Sequence, residues 1–157
     1  MPQFAVGDIV PEFSLLSTAG ACIRVSDYRG RRNLVLVFCG TGSSAPVRDL
    51  VRQVSEQYPE FVAEEAEVLA LVHDAGDQAE DLDRGCNPPF PVLSDKSSHA
   101  HELFGFPQPD QQSFPVICVI DRFGELRHVS PAAESQRSDF ARGILEWVRY
   151  INLECPE

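Results

Sequence analysis

The stretch VFCGTGSSAPVRDL, Val37 to Leu50, leaves an apolar strand, crosses a turn of small residues and enters a helix. The strand itself, LVLVF (Leu34 to Phe38), is continuous and rich in branched side chains, as a central strand covered on both faces must be. Beyond the turn, Val47, Leu50, Val51 and Val54 recur at helical spacing, with Arg48, Asp49, Arg52 and Gln53 on the other side. Ser43 or Ser44 suits the helix N-cap, and Pro46 is tolerated in the first turn, where its missing N–H has no intrahelical partner to lose. Such a junction sets side chains at the edge of a sheet. Here those are Cys39, Thr41, Ser43 and Ser44.

Outward from this junction, VLALV (Val68 to Val72) and VICVI (Val116 to Ile120) read as two more buried strands. A short polar helix is expected around Asp77 to Asp83, and the composition of Arg84 to Pro89 reads as a loop carrying Cys86. FPVLSD (Phe90 to Asp95) leads to a short helix ending near Phe104, and FPQPDQQSFP (Phe106 to Pro115) is a biased loop. DRFGE (Asp121 to Glu125) joins VICVI to ELRHV as a hairpin. The last element is an amphipathic helix with Phe140, Ile144, Leu145, Trp147, Val148 and Ile151 on its apolar side. Strands separated by helices predict an α/β fold with a mixed central sheet and helices on both faces. A length of 157 residues suits one domain over 1–157.

With 24 acidic and 13 basic residues, the net charge of −11 repels phosphate backbones and anionic membranes. No nucleic acid or membrane partner is expected. Without a basic leader or a spanning apolar run, the reading places the protein in the cytoplasm. Cys22, Cys39, Cys86, Cys118 and Cys155 are scattered, contain no CxxC and read as reduced thiols rather than a zinc cage. The histidines, including His99 and His101 of the HAH segment, read as surface residues, so neither a metal nor another cofactor is expected. Cys118 reads as core. Arg24, Arg29, Arg31 and Arg32 read as a solvated basic patch.

VGDIVPEFSLLSTAGACIRVSDYRG resembles the opening of the AhpC/TSA peroxiredoxin-like branch of the thioredoxin superfamily, with Gly7, Asp8, Pro11, Phe13, Leu15, Gly20, Asp27, Tyr28 and Gly30 in register. The likeness continues through LVLVF, LALVHDAGDQAEDL, FPVLSDKSSHAHELFGF and FPVICVIDRFGEL, to about residue 128. It implies a thioredoxin-like fold with an N-terminal β-hairpin extension, and an ancestral thiol-dependent peroxidase activity fed by a thioredoxin-like reductant. That chemistry needs a cysteine at the helix start, its pKa depressed by the helix N-terminus and an arginine.

The family writes the site as P-x-x-x-T-x-x-C. Here Thr41 matches the threonine, Val37 stands for the proline, Ser44 for the peroxidatic cysteine and Pro115 for the distant arginine. Relatives carry a cis-proline at that last position, so Phe114–Pro115 is expected to be cis. Two function readings follow. The first is a redox-degenerate protein whose groove around Thr41, Ser43, Ser44 and Pro115 binds a peptide or partner protein. The alternative is an antioxidant oxidoreductase using an unconventional cysteine, Cys39 before Cys86. A hydrolytic arrangement of Ser44 with His73 and Asp74 is the weaker third possibility, since serine needs a base and an orienter. The chain is expected to be a monomer or homodimer. Cys155 faintly resembles a C-terminal resolving cysteine.

Overall fold

The computed structural model describes residues 5–42, 44–73, 76–105, 114–130 and 139–154. Along these the elements are β1 (Ser14–Ser17), β2 (Cys22–Arg24), a 3-10 turn (Val25–Asp27), β3 (Asn33–Phe38), α1 (Ala45–Ala63), β4 (Ala66–His73) and α2 (Gln78–Cys86). There follow β5 (Val92–Asp95), α3 (His99–Leu103), β6 (Val116–Ile120), β7 (Leu126–Ser130) and α4 (Phe140–Glu154).

The strands form one mixed sheet in the order β2-β1-β5-β4-β3-β6-β7. β3 lies at its heart, parallel to β4 with Phe38 opposite Leu71, and antiparallel to β6 with Phe38 opposite Val116. Every residue of β3 and β6 is buried, so both faces of the sheet are covered, as the apolar runs predict. Side chains alternate along a strand, which separates the layers. Asn33 reaches Asn152 of α4 at 2.8 Å, whereas Phe38, of opposite parity, meets the His101 ring of α3 at 5.1 Å between centroids. Hence α4 and α3 lie on opposite faces. Each large side chain buried between them contributes about 1.5–3 kcal/mol.

α1 buries Val47, Leu50, Val51, Val54 and Phe61 and packs against α4, which buries Phe140, Ile144, Leu145, Val148 and Ile151. Arg149 ties the pair through Glu60 and Glu64. β1 and β2 make the N-terminal hairpin, and β1 also pairs with β5. In the β6–β7 hairpin, Asp121 accepts the N–H groups of Phe123 at 2.9 Å and Glu125 at 3.0 Å, while Gly124 takes φ +90°.

Two expectations need correction. Residues Arg84 to Cys86 are not loop: α2 continues to Cys86 and stops where Asn87 turns left-handed at φ 45°. Cys86 accordingly packs, partly buried, against the core. His101 is not on the surface but fully buried, because α3 lays it against Phe38. Most of the FPQPDQQSFP loop, Asp74, and Cys155 lie outside the described residues.

Candidate functional site

The C-terminal ends of β3, β4 and β5, at Phe38, His73 and Asp95, meet the start of β6 at one edge of the sheet. In open α/β sheets this is the edge that carries ligand chemistry. The chain leaving β3 is held there by backbone hydrogen bonds from Cys39 N–H to the Leu71 carbonyl (2.9 Å), Gly42 N–H to the Cys39 carbonyl (2.9 Å) and His73 N–H to the Gly40 carbonyl (2.6 Å). Gly40 (φ +58°) and Gly42 (φ +77°) make the turn. At Gly40 there is no room for more: a Cβ would sit 2.5 Å from Cδ2 of Phe114. The Phe114–Pro115 bond is cis, as expected, and Phe114 is buried against the turn.

Ser44 is the α1 N-cap, its Oγ accepting the Val47 N–H at 3.4 Å, with Pro46 in the first turn. Thr41 is half-buried beside it. Ser43 lies outside the described residues.

Cys39 is 1% exposed, and its thiol donates weakly to the Val37 carbonyl at 3.5 Å. Burial first, and then the neighbouring Cys86, pushes its pKa up to about 12, against a smaller opposing pull from a backbone hydrogen bond at Leu71. At neutral pH this group is a thiol, and a thiol is a poor nucleophile. Burial also pushes up the Cys118 thiol within β6. Cys22 is exposed on β2. Cys86 is partly exposed, and the Arg48 guanidinium occupies the space that a Cβ on the adjacent Gly85 would need.

Behind the turn lies a group of residues that the sequence reading did not assemble. The Asp95 carboxylate, fully buried, accepts the backbone N–H groups of His101 (2.9 Å) and Ala100 (3.3 Å), and it pairs with His101 Nδ1 at 2.7 Å. Burial acts to raise the Asp95 pKa, but the hydrogen bonds and charge of His101 and the Ala100 N–H outweigh it and hold the carboxyl below its ordinary value. With Nδ1 committed, Nε2 of His101 is buried and has no hydrogen-bond partner among the described residues. Its ring is boxed by Phe38 at 5.1 Å, Phe114 at 5.4 Å and His73 at 5.7 Å. His73 Nε2 is hydrogen-bonded to Ser98 Oγ, not to Ser44, and Ser98 holds a left-handed φ of 61°. The signal in sequence was Asp95 standing just before the short SSHAHEL helix. Five helical residues are too few for periodicity to say which histidine turns inward.

Among the described residues no group of three or more His, Cys, Asp or Glu side chains could hold a metal ion. No helix among them is long and apolar enough to cross a membrane.

The AhpC/TSA family matches residues 6–129, most of the chain. The chain is 29% identical over 128 residues to a protein named Peroxiredoxin 2 from Caldanaerobacter subterraneus subsp. tengcongensis, covering 76% of this chain and 55% of that protein. It thus spans about half the length of the curated relative it matches. Peroxidoxin BcpB from Mycobacterium tuberculosis superposes with a TM-score of 0.81 at 20% identity, over 93% of this chain and 97% of that one. A PrxQ variant from Xylella fastidiosa superposes with a TM-score of 0.78 at 15% identity, over 96% of this chain and 98% of that one. The chain belongs to the AhpC/TSA family and has the thioredoxin-like fold that its sequence predicts.

Proposed function

We propose that this AhpC/TSA protein is redox-degenerate and that the edge carrying Thr41, Ser44 and Pro115 binds a peptide or partner protein instead of reducing peroxide. The observation that carries the reading is Ser44. The residue at the start of α1, where the family resemblance expects the peroxidatic cysteine, is a serine whose hydroxyl caps the helix. A hydroxyl in that position lacks the low pKa and soft sulfur that peroxide attack requires. Pro115, in place of the family arginine, takes away the matching positive charge. Burial of Cys39, nearest in sequence to the turn, supports the same reading. A cytoplasmic setting, where scattered thiols stay reduced, is part of it.

One observation favours a second reading, thiol-dependent reduction through Cys86 with a thioredoxin-like donor. This thiol is partly exposed at the end of α2, and Arg48 packs against its neighbour Gly85. The deciding measurement is peroxide consumption by the reduced protein with excess dithiol, followed by mass spectrometry of each cysteine. Consumption at the rate of dithiol alone, with no cysteine selectively converted to sulfenic acid, is expected. Rapid turnover with oxidation confined to Cys86 or Cys39 would overturn the binding reading.

A further inference from the structure

Away from the turn after β3, an open cavity of about 610 Å³ lies between β7 and α4. That volume is in the range of pockets that hold small organic ligands. His128, Phe140, Trp147 and Tyr150 give its walls an aromatic part. Trp147 is stacked on His128 with ring centroids 4.4 Å apart and planes 21° apart, and Tyr150 stands at 90° to Trp147 at 5.8 Å. His128 is itself steadied by a 2.7 Å hydrogen bond between Nε2 and Ser130 Oγ. With one indole face covered by His128, the indole and phenol at right angles form a corner whose remaining electron-rich surface attracts a cation. The charges around the corner agree: among the described residues, the carboxylates of Asp139 and Glu146 line the cavity beside the guanidinium of Arg142.

The glycine in the wall is the second observation. Gly143 sits inside α4, where glycine is the least favourable helix residue after proline. It takes no left-handed φ, and a Cβ there would meet no described residue within 4 Å outside its own helix. Among the described residues, packing does not require a glycine at this position. Its absent side chain leaves open the space that lines the cavity.

We infer that the β7–α4 cavity is a binding site for an organic cation with an aromatic or apolar body, an alkylated ammonium or a guanidinium, held by the Trp147–Tyr150 corner and Glu146. Trp147 is the only tryptophan in the chain, so its fluorescence reports on this site alone. The test titrates the full chain with benzyltrimethylammonium and, separately, with benzenesulfonate. Saturable quenching by the cation, with at least tenfold weaker binding of the sulfonate, is expected. Glu146→Gln is expected to weaken the cation about threefold, as removal of one partly solvated charge does. Gly143→Leu, which fills the cavity, is expected to weaken it at least tenfold while the protein melts no lower than the parent, and Gly143→Ala to raise the melting temperature by about 2–4 °C. Absence of saturation, equal or tighter binding of the sulfonate, or undiminished cation binding in a folded Gly143→Leu protein would overturn the inference.

Discussion

At the Asn33 end of β3 both ends of a buried amide are paired, whereas at the Phe38 end a buried imidazole nitrogen has no partner among the described residues. Asn33 donates to Asn152 Oδ1 at 2.8 Å and accepts the Arg122 N–H at 2.9 Å, and Asn152 in turn donates to the Glu64 carbonyl at 2.8 Å. One small network thus joins β3, the β6–β7 turn, α1's exit and α4. At the other end the chain passes through two glycines with positive φ, a contact between Gly40 and Phe114 with no slack, a left-handed Ser98 and the unpaired Nε2 of His101. An unsatisfied buried polar atom costs about 1–3 kcal/mol. The strand is stabilised at one end, and the other departs from the usual rules of stability at the candidate site.

The contrast breaks most visibly at Gly40. Gly40→Ala combines a methyl overlapping Phe114 with an unfavourable φ, and is expected to cost about 2–4 kcal/mol in chemical denaturation at unchanged m-value. Asn33→Leu is expected to cost about 2 kcal/mol by leaving the Arg122 N–H without its acceptor and taking one of two donors from Asn152 Oδ1, yet to leave binding at the turn untouched. If Asn33→Leu altered binding as much as changes at Thr41 or Ser44, the two ends would not be functionally separate.

The acid limb of stability sharpens the same comparison. Asp95 has a folded pKa below its unfolded one, so its contribution is complete above the unfolded value of about 3.9. It is lost as pH falls from there through the lower folded value. Asp95→Asn is therefore expected to be less stable than the parent at pH 7 and to lose less stability between pH 5 and 3. Parallel acid curves for the two proteins would show that the buried pair does not carry the charge assigned to it. The smallest effect is in thiol chemistry. In the folded protein at pH 8, iodoacetamide is expected to reach Cys22 first, with Cys39 and Cys118 labelled only after denaturant is added. Labelling of Cys39 in the folded chain, read by mass spectrometry, would show that the closed end of β3 opens.

The periodicity of the sequence was enough for the central strands, the long helices and the single-sheet architecture, and residue type narrowed the α1 cap to Ser43 or Ser44. These are local patterns repeated over many residues, and burial of an apolar face gives them one solution. That a serine stands at the start of α1 was also legible, because a residue's identity is the sequence itself. The extension of α2 to Cys86 was not, since Gly85 and the prolines beyond it suggest a loop, and the helix persists because Asn87 can close it left-handed. Nor was the inward turn of His101, or the corner that Trp147 makes with Tyr150 beside His128. These features bring together residues from separate elements: Asp95 with His101 and Phe114, and β7 with α4. Their contacts depend on the crossing of packed layers, a distance and an orientation that no run of neighbouring residues encodes.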